Sequence, residues 1–215
     1  MRKLTLITKL VAAASAMMTI QVFATTNLVY YSFNASNTIA DVGSLISSFG
    51  NAGVTTNAFN AGSTLNVQPG FVAGVAPNEN LWTGNTNYFS VTLDSTGFQG
   101  LVLSFWDQKS STGPTNIAIA YSTTGPLGTF SFLPSVLATV SPGAIVTQDV
   151  SAVTALDNNP NDVFRIYGLN AGGSAGTLRI DNLTVDAMAV VPEPSTLVLA
   201  GAGFLGMLMI RRRRS

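Results

Sequence analysis

Apolar and polar residues alternate with a period of two along most of the middle of the chain. Phe89-Ser90-Val91-Thr92-Leu93 alternates cleanly. Leu101, Leu103 and Phe105 are interleaved with Val102, Ser104 and Trp106, and Ile117, Ile119 and Tyr121 with alanines. Leu28–Phe33, Phe130–Leu133, Ile145–Val150, Val163–Tyr167 and Leu178–Val185 continue the series. This pattern predicts strands with one buried face. Turn residues separate them, as in Ser95-Thr96-Gly97, Ser111-Thr112-Gly113-Pro114, Thr124-Gly125-Pro126, Ser141-Pro142-Gly143 and Ala171-Gly172-Gly173-Ser174. No long amphipathic helix is visible; Asp41 to Phe49 is expected to form one short helical turn ended by Gly50. Many short strands with regular turns predict an all-β, jelly-roll-like antiparallel sandwich. In its last strand the apolar phase slips between Ile180 and Leu183. An extra residue at Asp181-Asn182, a β-bulge, would keep Leu178, Ile180, Leu183 and Val185 on one face.

The two ends break this rhythm. Arg2, Lys3 and Lys9 give a basic start, followed by an apolar stretch from Leu10 to Phe23 and a Val22-Phe23-Ala24 cleavage pattern. That order predicts a secretory signal peptide removed by signal peptidase after Ala24. At the other end Leu197–Ile210 is an unbroken run of apolar residues and glycines. As a helix it covers about 21 Å, short against a bilayer core of about 30 Å unless residues from Ser195 on extend it. Arg211, Arg212, Arg213 and Arg214 follow directly and favour the cytoplasmic side of the inner membrane. Pro192 and Pro194 disfavour helix, so Pro192-Glu193-Pro194 is expected to be an extended joint just outside the membrane.

These three features, in this order, closely resemble the PEP-CTERM sorting signal. The resemblance spans about 25 of the 215 residues. It implies recognition by an exosortase, a membrane-embedded sorting enzyme that reads Pro192, Glu193, Pro194 and the four arginines. Cleavage near Pro-Glu-Pro and delivery of the body to the cell surface would follow. The run Arg179-Ile180-Asp181-Asn182-Leu183-Thr184-Val185 also resembles the closing strand of jelly-roll modules, many of them carbohydrate-binding. The expected organisation is therefore a signal peptide (1–24), a β-sandwich body (25–190) and a sorting signal (191–215).

Charge and composition narrow the function further. Only 9% of residues are charged, and between Thr25 and Val191 nine Asp or Glu stand against Lys109, Arg165 and Arg179 alone. An acidic body argues against nucleic acid as a partner, since phosphate binding needs clustered cations. The chain has no Cys and no His, which excludes disulfides, thiol chemistry and His-based triads. Asp94, Asp107, Asp149 and Asp181 sit at or near strand ends, where paired carboxylates could hydrolyse glycosides but turn Asp is also common. Lys109-Ser110-Ser111 has the wrong order for a Ser-x-x-Lys nucleophile and reads as a turn. Asp157–Asp162 begins like a calcium loop but has Asp162 where the sixth-position Gly belongs and Gly168 where the Glu belongs. No cofactor is expected, with Asp181 as the one candidate contact for a structural calcium ion. Trp82, Tyr88, Trp106 and Tyr121 are either core or a surface on which sugar rings stack. Trp106 is expected to point away from Leu103 and Phe105. The reading is a surface or extracellular-matrix protein with a structural or interaction role, associated with exopolysaccharide. The alternatives are a specific carbohydrate-binding module that stacks glycans on Trp82 and Trp106, and then a glycan hydrolase.

Overall fold

The computed structural model describes residues 25–43, 48–52, 55–72, 74–82 and 84–190. The expected signal peptide, Ala24 and the tail 191–215 lie outside these residues. Among the described residues no helix is long and apolar enough to cross a membrane.

Two antiparallel sheets pack face to face. The first contains β1 (Thr25–Tyr31), β3 (Thr55–Ala61), β4 (Val75–Asn80), β6 (Phe98–Lys109), β9 (Ala144–Asp149) and β11 (Leu178–Ala189). Its order is β3-β4-β11-β6-β9, with β1 also paired to β11. The second contains β2 (Ser48–Ala52), β5 (Tyr88–Leu93), β7 (Asn116–Ser122), β8 (Ser131–Ala138) and β10 (Asp162–Leu169), in the order β2-β5-β10-β7-β8. The fold is thus the expected jelly-roll-like β-sandwich.

The alternation explains the layers. Leu101, Leu103 and Phe105 of β6 meet Phe89, Val91 and Leu93 of β5 in one core, joined by Ile117, Ile119, Phe164 and Ile166. Each such side chain contributes about 1.5–3 kcal/mol by leaving water. The bulge in β11 is present. Asp181 pairs with Trp106 and Thr184 with Ser104, so β11 takes three steps where β6 takes two. Asn182 adopts a left-handed φ of 47° at the irregularity. Leu178, Ile180, Leu183 and Val185 are consequently all buried in the core.

The short turn expected from Asp41 to Phe49 lies partly outside the described residues. At its ends, Val42 bridges to Tyr30 and Phe49 lies in β2 opposite Val91.

Candidate functional site

The outer face of the five-stranded sheet carries the residues of opposite phase to the core. In β10, Phe164 and Ile166 face inward, which turns Arg165 and Tyr167 outward. In β5, Phe89 and Val91 face inward, which turns Tyr88 and Ser90 outward. The register then builds two rows. Tyr88, Tyr167, Ala118 and Val136 lie side by side, and next to them Ser90, Arg165, Ala120 and Phe132.

Small and large residues divide the work along these rows. Ala118 and Ala120 form a low floor in β7, and the rings rise around it. Tyr167 sits 5.1 Å from Tyr88 and 5.2 Å from Phe132, ring centre to ring centre. Phe130, just before β8, and Leu169 pack against the same cluster. The Arg165 guanidinium carbon lies 4.2 Å from the Tyr88 ring centre and 3.6 Å from that of Phe130. Its Nη2 donates to the Pro126 carbonyl at 2.8 Å. Phe132 remains 60% exposed, and Val136 beside it is exposed too. An uncovered ring on a sheet face that also carries Ser90, Arg165 and Asn116 suits a ligand with one apolar face and many hydroxyl groups.

The two tryptophans that the sequence offered as stacking platforms are elsewhere. Trp82 is 1% exposed within the core, its Nε1 donating to the Glu79 carbonyl at 2.8 Å and its ring against Phe89. Gly168 makes room for it, since a β-carbon there would collide with the indole. Trp106 does point opposite Leu103 and Phe105, yet it is only 6% exposed and lies against Gly143. Both indoles are buried, which counts against the stacking expectation; on the outer face of the five-stranded sheet the exposed ring is Phe132, with Tyr167 packed beneath it at 9% exposure. Tyr121 packs against the core. The missed signal was phase: Tyr88 and Tyr167 are aromatic residues set out of step with an apolar strand face.

The carboxylates are mostly taken up by backbone N–H groups or by burial. Asp94 Oδ1 accepts from the Thr96 N–H at 2.8 Å, and Asp149 Oδ1 from that of Ser151 at 2.9 Å, both closing turns. Asp157 Oδ1 and Asn158 Oδ1 accept the N–H groups of Gly100 and Gly97, each at 2.8 Å, so that loop caps backbone. Ser110 Oγ accepts from the Thr177 N–H at 2.8 Å. Asp181 is buried on the first sheet, where Oδ2 accepts from the Ser63 N–H at 2.6 Å and Oδ1 from that of Asn182 at 2.8 Å. Both oxygens of this candidate calcium contact are therefore engaged by backbone. Among the described residues no three acidic side chains come together as a metal site. Burial pushes the carboxyls of Asp107 and Asp181 up to about 6, and that of Asp162 up to about 7. None of the three lies on the aromatic face.

Residues 190–214 match the family of the PEP-CTERM protein-sorting motif. This chain carries a PEP-CTERM sorting motif. It is an exported protein, held in the membrane as a precursor before an exosortase processes it, with the body at the surface. No curated protein matches the chain in sequence. Among solved structures, the body is similar to the CBM22-1 xylan-binding domain of Paenibacillus barcinonensis Xyn10C. The TM-score is 0.53 at 9% identity, covering 80% of this chain and 100% of that one. The CBM22-1-CBM22-2 tandem domain of the same protein gives 0.52 at 10% identity, covering 82% and 49%. A CBM29-2 mutant complexed with mannohexaose gives 0.49 at 16%, covering 79% and 99%. At these identities the likeness is one of fold.

Proposed function

We propose that the PEP-CTERM-sorted body is a non-catalytic carbohydrate-binding module that attaches to exopolysaccharide around the cell. The observation that carries this reading is the exposed Phe132 ring on an aromatic sheet face that also carries Arg165 and Ser90. The fold shared with a xylan-binding domain supports it, as does delivery to the surface, where such polymers lie. The site differs from the one the sequence suggested, because Phe132, backed by Tyr167 and Tyr88, takes the place of Trp82 and Trp106. Asp94 and Asp149 each close a turn, and Asp107 and Asp181 are fully buried, which favours binding over hydrolysis. Replacing Phe132 by Ala is expected to weaken retention by the host polysaccharide about tenfold without changing the melting temperature, since the ring is mostly exposed. Unchanged retention, read by affinity electrophoresis, removes this face from the proposal.

The proposed boundaries have their own test. The intact mass of protein from its host is expected to lack residues 1–24 and the segment beyond Pro192-Glu193-Pro194, and Glu193→Ala is expected to keep that segment. A tail retained in both proteins would contradict processing at Pro-Glu-Pro by the exosortase and place the body at the inner membrane.

A further inference from the structure

We infer that the aromatic face is selective for acidic glycans, with Arg165 receiving a sugar carboxylate beside the stacking rings. This rests on the glycan-binding reading and names its substrate class. The body is acidic overall and holds three cationic side chains between Thr25 and Val191. Arg179 is held by the side chains of Asn78 and Gln108 and by the Ala61 carbonyl. Lys109 ends β6, at the first sheet. Arg165 alone stands on the aromatic face. Its neighbours there are Ser90 and Ala120 directly across, and Tyr88, Thr92, Ala118 and Ser122 on the diagonals. None of these carries an opposite charge.

The side chain is also fixed in place. Tyr88 and Phe130 cover the guanidinium, and Pro126 takes one donor, which leaves Nε buried with no hydrogen-bond partner. The buried Nε is closed to a polymer, so the cation, which has no counter-charge among its neighbours on this face, can meet a ligand only at its terminal N–H groups. Stacking on the rings confines binding to the guanidinium edge, where a carboxylate would accept a charge-assisted hydrogen bond from a terminal N–H. A uronic acid residue supplies a carboxylate and an apolar ring face in one unit, and Phe132 lies next to Arg165 across Ala120 in the same row. Because the rest of the body repels polyanions, binding would come from this placed charge and not from diffuse attraction.

The test is affinity electrophoresis of the full-length chain, in a neutral detergent, through gels carrying polygalacturonate or neutral xylan. Arg165→Gln is expected to lose about tenfold in retention by polygalacturonate and little by xylan, as befits one charge-assisted contact. Arg165→Lys is expected to keep part of it, and thermal unfolding checks that both variants fold. Arg211–Arg214 are common to all the proteins, so the difference reports Arg165. Polygalacturonate retention unchanged in Arg165→Gln overturns the inference, as does binding to xylan alone, which leaves the glycan-binding reading standing. Failure of both polymers and of the host polysaccharide to retain the wild-type protein removes that reading as well.

Discussion

Asn182→Ala is expected to lower the unfolding free energy by about 3 kcal/mol, because several buried hydrogen bonds converge on this one side chain. The Tyr30 hydroxyl donates to Asn182 Oδ1 at 2.6 Å. Asn182 Nδ2 donates to the carbonyls of Ser63 and Leu65 at 3.0 and 3.1 Å. Alanine leaves the Tyr30 hydroxyl buried without its acceptor, and burial already pushes that group up to about 12. It also places a residue less tolerant of left-handed backbone at the bulge. Urea unfolding of the wild type, Asn182→Ala, Tyr30→Phe and the double variant reads the effect. The two single changes are expected to be strongly non-additive, since they remove the same bond. A loss below about 1 kcal/mol, or simple additivity, would mean that the bulge is held by the backbone alone.

Stability is expected to rise on mild acidification, with a melting temperature higher by about 5 °C or more near pH 5 than near pH 8. Three buried carboxyls set the sign. Desolvation raises Asp107 and Asp181 to about 6 and Asp162 to about 7. Ser95 pulls Asp162 down, while the nearby charges of Asp94 and Asp157 push it up. In the unfolded chain such groups titrate near pH 4. Between about pH 4 and 7 the folded state therefore binds more protons than the unfolded state. The contribution of these groups is fully present below the unfolded value and is lost as pH rises through the folded values. Asp107→Asn is expected to flatten the pH dependence and to raise the melting temperature near pH 8. A melting temperature that instead climbs from pH 5 to pH 8 would show that these groups ionise freely in the folded protein.

The fold was legible wherever an apolar face alternated. Phe89–Leu93, Leu101–Phe105 and Ile117–Tyr121 each wrote their buried side into the chain, and the slip at Asp181-Asn182 announced its bulge. β2, β3 and β4 were not legible. Their stretches are rich in Asn, Thr and Gly, β4 contains Pro77, and long-range pairing decides their state. The candidate site was read at its ends better than in its body. The sorting motif is local in sequence, so order alone reveals it. The aromatic face draws on β5, β10 and β8, and only the register places Tyr88 beside Tyr167 or Phe132 across Ala120 from Arg165. Trp82 and Trp106 misled because indoles are the strongest stacking residues, while burial depends on neighbours such as Gly168 and Gly143 far along the chain.

β11 is the strand that runs on into the sorting segment, and it is bonded on both sides, to β6 along one edge and to β4 and β1 along the other. Ladder bonds between antiparallel strands lie across the strand axis. A pull applied at the C-terminal end of β11 therefore loads many of them together, in shear, instead of peeling them singly from an edge. The exposed Phe132 ring stands on the opposite sheet, away from that line of force. A body pulled at this end would not have its last strand as the first to tear out.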